Sequence, residues 1–159
     1  MHDRIYVAAT SQHVGKTTST LGIVAAIRNK NLNVGYCKPL GQEFVDLGDL
    51  KVDKDALLFS KTMNFELSAE LHSPVILGRG VTTSFLQHPE RYHFADEVMN
   101  ASQKLQEMHD VVVYEGTGHP GVGSVIDLSN ADVAKMLGAS VIMVVEGGIG
   151  NTIDRLNTN

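Results

Sequence analysis

The sequence predicts a three-layer α/β domain in which helices cover both faces of a doubly wound, mostly parallel sheet. Three observations point to this fold class. The strand segments are short and almost entirely apolar, as in sheets that are buried on both faces. Helical segments separate the strands, and this alternation is typical of parallel sheets. Polar or glycine-rich loops follow the strands, and ligands of such sheets bind beyond the carboxyl ends of the strands.

The first half of the chain contributes two predicted strands and two predicted helices. An apolar strand over residues 5–9 leads through a polar loop into a helix over residues 16–29, whose apolar positions lie near one stripe. A second short strand covers residues 34–37. It ends before Pro39, because proline favours an extended preceding residue and cannot donate a hydrogen bond to a sheet. The second helix is predicted over residues 53–63.

The second half adds a long amphipathic helix over residues 93–109. Its apolar positions predict one buried face, and both of its methionines are expected to fill the core, which gives Val98, Met99, Ala101, Leu105 and Met108 as core residues. Residues 66–88 have an ambiguous pattern with a short extended piece at 73–77. The remaining predicted elements are a strand over 111–114, a glycine-rich loop over 116–123, a helix capped by Ser129 or Asn130 and closed by Gly138, a strand over 141–145, and a further helix start after residue 150.

The loop after the first strand has the composition of a phosphate-binding loop, or P-loop. It closes on Gly15-Lys16-Thr17 where a helix begins. Backbone N–H groups and the positive helix end would face an anion, Lys16 would reach the β- and γ-phosphates, and the Thr17 hydroxyl would bind Mg²⁺. Glycine usually stands where this chain has Thr10, so a polar turn before an ordinary helix is the alternative. The predicted nucleotide-binding residues of this P-loop NTPase pattern are Ser11, Gln12, His13, Val14, Gly15, Lys16, Thr17 and Thr18.

Two further charged residues follow or end strands at the same edge of the sheet, and a third lies at the start of a helix. Lys38 follows the second strand and could neutralise charge during phosphoryl transfer; a surface lysine is the alternative. Glu115 ends a buried strand and is well placed to bind Mg²⁺; an exposed glutamate is the alternative. Asp55 lies in a first helical turn, which by itself indicates only a favourable interaction with the helix dipole. The candidate catalytic residues are therefore Lys16 and Lys38.

Composition narrows the classes of partner. The 159 residues are 43% hydrophobic and carry a net charge of −5 without a block of Lys or Arg, so one globular domain is expected and nucleic acid is not. No apolar run approaches the ~20 residues of a membrane span. The single Cys37 suits a reducing compartment. We therefore expect a cytoplasmic protein with a small-molecule substrate, one domain over residues 1–159, and a further strand and helix beyond its C-terminal end.

Four segments, in chain order, resemble the dethiobiotin synthetase superfamily of P-loop ATPases. This superfamily includes the ATP-binding domains of cobyrinic acid amide synthases and the N-terminal domain of long phosphate acetyltransferases. The segments are Thr10-Ser-Gln-His-Val-Gly-Lys-Thr17, Gly35-Tyr-Cys-Lys-Pro39, Val52-Asp-Lys-Asp-Ala56 and Tyr114-Glu-Gly-Thr-Gly118. The resemblance implies that ATP is the nucleotide, that Lys38 contacts phosphate, and that Thr17, Asp55 and Glu115 hold Mg²⁺. It also leaves open a homodimer, in which relatives commonly occur.

The resemblance implies ATP-dependent activation of a carbamate or carboxylate, which is ligase chemistry of the kind used in biotin biosynthesis. The chain departs from the synthetase pattern at two places. Ser11 and His13 stand where acidic residues are usual, and Thr117 and His119 change the loop after Glu115. These features are closer to the synthetase-like ATPase domains of longer proteins. A regulatory ATP-sensing domain without ligase activity of its own is therefore the alternative.

Overall fold

The computed structural model describes residues 3–46, 48 and 50–158. In that part of the chain, two 3₁₀ turns, at Pro89–Arg91 and Ser124–Ile126, accompany the helices and strands. In chain order these are β1 (Asp3–Ala9), α1 (Lys16–Arg28), β2 (Val34–Cys37), β3 (Leu40–Gly41), β4 (Phe44–Asp46), β5 (Lys51–Asp53), α2 (Lys54–Met63), α3 (Ala69–His72), β6 (Val75–Ile76), α4 (Val81–Gln87), α5 (Phe94–Met108), β7 (Val111–Glu115), α6 (Asn130–Leu137), β8 (Ser140–Val144) and α7 (Ile149–Thr158).

The central sheet is parallel and, within the described residues, has the strand order β2-β7-β1-β8. Alternate strand residues point to opposite faces, so the sheet has two apolar sides. One side packs on α1 and α2 through Val24 and Phe59, and the other packs on α5 and α6 through Leu105 and Leu137. These helices cover both faces of the sheet, which confirms the predicted doubly wound α/β fold.

Cap residues account for several helix boundaries. The Ser129 side chain accepts a hydrogen bond from the Asp132 N–H, and Asp132 bonds back to the Ser129 N–H, so Ser129 rather than Asn130 caps α6. Gly138 closes this helix with a φ of 59°, a left-handed conformation that suits glycine. Asp53 is extended and caps α2, so this helix begins one residue later than predicted.

The structure differs from the sequence prediction in two regions. Residues 40–41, 44–46 and 51–53 form the short strands β3, β4 and β5, which the local pattern did not indicate. β3 pairs in parallel with β6, which lies within the extended piece predicted at 73–77, and β4 pairs in antiparallel orientation with β5. The methionines of α5 were wrongly predicted as core, because Met99 is 40% and Met108 is 53% exposed. Met99 follows the buried Val98 on the outer side of the helix, and Met108 lies in its last turn. The buried face of α5 consists of Val98, Ala101, Ser102 and Leu105.

Every helix in the described part of the chain is too short or too polar to cross a membrane.

Candidate nucleotide-binding site

The loop between β1 and α1 has the backbone of an anion site. Gly15 has a φ of 88° and His13 a φ of 63°, so the chain turns sharply before the first turn of α1. The Thr10 N–H donates to the Val144 carbonyl at 3.2 Å, which attaches the start of the loop to β8. Among the described residues, no hydrogen bond is donated by the backbone N–H groups of residues 11–18. These groups are therefore available to an anion at the helix N-terminus.

Glu115 organises the base of this loop. Its side chain is fully buried at the carboxyl end of β7, which excludes the alternative of an exposed glutamate. The Thr17 hydroxyl donates to Glu115 Oε1 at 2.7 Å, and the Lys16 amine lies 3.5 Å from the same oxygen. Oε2 accepts a hydrogen bond from the Tyr36 hydroxyl at 3.0 Å. Residues from three parts of the sequence, the first turn of α1, β2 and β7, thus meet at one carboxylate.

Lys38 forms a second charged cluster beside the loop. It is only 6% exposed, so the alternative of a surface lysine is wrong. Its amine makes an ion pair with Asp55 and lies 3.4 Å from Asp53 Oδ1. Burial alone would lower the pKa of Lys38, but the carboxylates of Asp53, Glu115 and Asp55 outweigh burial and raise it. Lys38 is therefore charged at neutral pH.

Asp53 holds this cluster in place. Its Oδ1 accepts a hydrogen bond from the Asp55 N–H at 2.8 Å, and its own N–H donates to the Ser73 hydroxyl at 2.9 Å. Its Oδ2 is buried and has no hydrogen-bond partner within the part of the chain that the structure describes. Burial raises the pKa of Asp53 in spite of the nearby Lys38.

Most of the predicted site residues line one cleft of about 330 Å³. Of the predicted set, the structure brings Gln12, His13, Gly15, Lys16, Thr17, Thr18, Lys38 and Asp55 to its wall. Ser11 and Val14 do not line it, and the Ser11 hydroxyl instead donates to Glu146 at 3.0 Å. Glu115 lies beneath the wall, where Lys16 and Thr17 separate it from the open space.

The oxygen donors at this site suit Mg²⁺. A hydroxyl from Thr17 and carboxylates from Asp55 and Glu115 are hard ligands, which Mg²⁺ prefers, and the ion commonly completes its shell with water and phosphate oxygens. No group of three or more His, Cys, Asp and Glu side chains that could hold a metal occurs in the described residues.

Several residues of the site were missed by sequence reasoning. Tyr36 has the pattern of an ordinary apolar strand residue, and its contact with Glu115 depends on the pairing of β2 with β7. Asp53 could have been found as a helix cap, because it directly precedes a helical segment. Glu43 and Lys54 of the cleft wall were also missed, whereas Gln42, Thr117 and Gly118 lie in the loops after β2 and β7, where ligands of such a sheet are expected.

Comparison with known proteins gives a consistent result. The model of an AAA domain family, AAA_26, matches residues 3–159. The ATP-dependent dethiobiotin synthetase BioD of Methanocaldococcus jannaschii is 24% identical over 92% of this chain and 67% of its own length. The phosphate acetyltransferase of Pseudomonas aeruginosa is 28% identical over 87% of this chain and 19% of its own length. The BioD of Clostridium kluyveri (strain ATCC 8527) is 25% identical, and this chain spans 63% of its length.

Solved structures agree on the fold. The signal recognition particle receptor FtsY of Elizabethkingia anophelis matches 99% of this chain and 46% of its own with a TM-score of 0.53 and 17% identity. A BceF tyrosine kinase domain matches 98% of this chain and 63% of its own with a TM-score of 0.51 and 13% identity. At these identities the likeness concerns the fold alone, and it supports a P-loop NTPase architecture.

Proposed function

This chain belongs to the AAA_26 family of P-loop domains and is a distant homologue of dethiobiotin synthetases, and from that premise we propose that it binds ATP with Mg²⁺ in the cleft between the P-loop and Lys38. The observation that carries the proposal is the P-loop itself. Its amides are unpaired within the described residues, and Lys16 and Thr17 stand over a buried carboxylate. Any helix leaves its first N–H groups unpaired, but an ordinary helix start does not need a lysine and a threonine placed over a buried carboxylate.

The proposed reaction is ATP-dependent activation of a carbamate or carboxylate. An oxygen of that substrate attacks the γ-phosphorus in line, the bond to the β-phosphate oxygen breaks, and ADP leaves. Lys16 would bind the β- and γ-phosphates, and Lys38 would neutralise charge on the transferred group. Thr17, Asp55 and Glu115 would hold Mg²⁺, the two carboxylates directly or through water, and the ion supplies further charge neutralisation when it is bound.

The second candidate is a regulatory ATP-sensing domain. The phosphate acetyltransferase relative favours it, because this chain matches only 19% of that longer protein. In that case the cleft would bind ATP without turning it over, and another catalytic unit would respond. Both candidates use the same P-loop residues, so binding and turnover must be measured separately.

Titration calorimetry with ATP and Mg²⁺ tests the proposed binding, with Lys16→Ala as the variant. We expect the wild-type chain to bind ATP and Lys16→Ala to lose at least about tenfold in affinity, because the variant removes a charged phosphate contact. The matched control is Lys30→Ala, which alters an exposed lysine just after α1 and should leave affinity unchanged. Equal affinity of wild type and Lys16→Ala would contradict the proposed site.

Phosphate release then separates the two candidates. The wild-type chain is assayed with ATP and Mg²⁺, with and without 7,8-diaminononanoate and bicarbonate. Release that rises with the diamine supports synthetase chemistry. Binding without turnover under both conditions supports the sensor, and the absence of binding refutes both.

A further inference from the structure

Tyr36 of β2 contacts Glu115, which we propose as a ligand of Mg²⁺, although Tyr36 itself does not line the cleft. Its ring stacks on Phe59 of α2, with centroids 3.7 Å apart and planes 9° from parallel. Both side chains are buried, so this stack fixes the ring between the sheet and α2. The ring in turn fixes where its hydroxyl points.

The two carboxylate oxygens of Glu115 have different partners. Oε2 accepts the hydrogen bond from Tyr36 at 3.0 Å, whereas Oε1 faces Thr17 and Lys16. A phenolic hydroxyl can donate one hydrogen bond, and here it donates to Oε2. Without this bond the carboxylate would be able to rotate about its terminal torsion, which is broad in glutamate.

We propose that Tyr36 is a positioning residue, which orients Glu115 so that Oε1 faces the Mg²⁺ that accompanies ATP. The inference rests on the proposed function and adds a residue that acts through Glu115 and has no contact of its own with the nucleotide. Partners that hydrogen-bond to metal ligands typically change metal affinity about 10- to 100-fold when they are removed. The same logic applies to Tyr36, because its hydroxyl engages the oxygen that faces away from the P-loop.

The test is Tyr36→Phe, which removes only the hydroxyl and keeps the stack on Phe59. ATP binding is measured by calorimetry with Mg²⁺ and again with the metal chelated. We expect affinity with Mg²⁺ to fall about tenfold and affinity without the metal to stay within about twofold. The matched control is Tyr114→Phe, whose hydroxyl bonds to Ser102 on the other face of the sheet and should leave both affinities unchanged.

Two further variants separate positioning from a general structural role. In a Glu115→Gln background, Tyr36→Phe should cause no further change, because the effect passes through the Glu115 carboxylate. Phe59→Leu disturbs the ring stack but keeps the Tyr36 hydroxyl, so it should lower stability. The ratio of ATP affinity with Mg²⁺ to that without it should change less than in Tyr36→Phe.

Two results would overturn the inference. One is an equal loss of ATP affinity with and without Mg²⁺ in Tyr36→Phe, and the other is an additive effect of Tyr36→Phe in the Glu115→Gln background. If the wild type binds ATP in a Mg²⁺-dependent way and Tyr36→Phe binds it equally well, the inference about Tyr36 is wrong and the proposed function stands. If the wild type does not bind ATP, both are wrong.

Discussion

At the scale of single residues, Asp53 has more structural tasks than its place before a helix suggests. One oxygen caps α2 and lies near Lys38, while the other is buried without a hydrogen-bond partner among the described residues. An unpartnered buried oxygen costs stability, and the cap and the ion pair offset that cost. Asp53 therefore holds Lys38 and Asp55 in place, although burial removes one of its own oxygens from water.

We expect Asp53→Ala to lower the free energy of unfolding by about 2–3 kcal/mol, since it removes a cap and one partner of a buried lysine. Asp53→Asn keeps the cap and should cost about 1 kcal/mol less. Urea denaturation measures both. Ser68→Ala is the control, because Ser68 precedes α3 without a side-chain cap. Equal losses in Asp53→Asn and Asp53→Ala would show that the charge, and not the cap, is the important contribution.

The site residues that could be predicted from the sequence are those that belong to a local sequence pattern. Lys16 and Thr17 follow from the loop motif, and Glu115 follows from its place at the end of an apolar strand. Their proposed roles in binding stay predictions. Tyr36 and Asp53 were missed because their partners, Glu115 and Lys38, are distant in sequence. Only the folded arrangement of β2, β5 and β7 brings these pairs together.

At the scale of elements, Asn130 ties α6 to the loop that follows β7. Its Oδ1 accepts hydrogen bonds from the Tyr6 hydroxyl and the Thr117 N–H, at 2.8 and 3.0 Å. Its Nδ2 donates to the carbonyls of Thr117 and His119, both at 2.9 Å. The buried Asn130 side chain thus provides hydrogen-bond partners for the backbone of a loop that pairs with no strand. It also fixes the position of Thr117 in the wall of the cleft.

Asn130→Ala should lower the free energy of unfolding by about 2–3 kcal/mol, because it leaves several buried polar groups without partners. Urea denaturation gives the value. The control is Asn100→Ala, an exposed asparagine of α5, which should change stability by less than about 0.5 kcal/mol. A loss in Asn130→Ala no greater than that of the control would refute the proposed tie between α6 and the loop.

The elements that the sequence predicted well are those with enough residues to show a period. β1, α1, β2 and β7 lie within two residues of their predicted bounds. β3 and β6 have two residues each, and their pairing joins segments more than 30 residues apart. The local pattern indicated an extended piece around β6, but it could not indicate the pairing with β3, because these hydrogen bonds depend on a distant partner.

At the scale of the whole molecule, the sheet separates two apolar clusters, and the polar residues of the site lie together at one of its edges. The loops after β1 and β2 and the end of β7 converge at the carboxyl ends of parallel strands, where the cleft lies. The apolar faces are therefore free to stabilise the fold without contact with the nucleotide. Stability can accordingly be measured apart from nucleotide binding.

We expect the stability of the whole domain to fall as the pH drops below the ordinary pKa of histidine, because of His72. This side chain is buried against Phe65, accepts a hydrogen bond from the Ser68 N–H at 3.0 Å, and lies near His109. Burial lowers its pKa below the ordinary 6.5, while the Ser68 carbonyl partly opposes this and His109 adds to it. The unfolded chain then binds more protons in this range, so the free energy of unfolding decreases with falling pH. The measurement is urea denaturation between roughly pH 7.5 and 5.5. His72→Gln should weaken the dependence of the free energy of unfolding on pH, whereas His93→Gln, at an exposed position, should leave it unchanged. The same pH dependence in His72→Gln as in the wild type would show that His72 is not its cause.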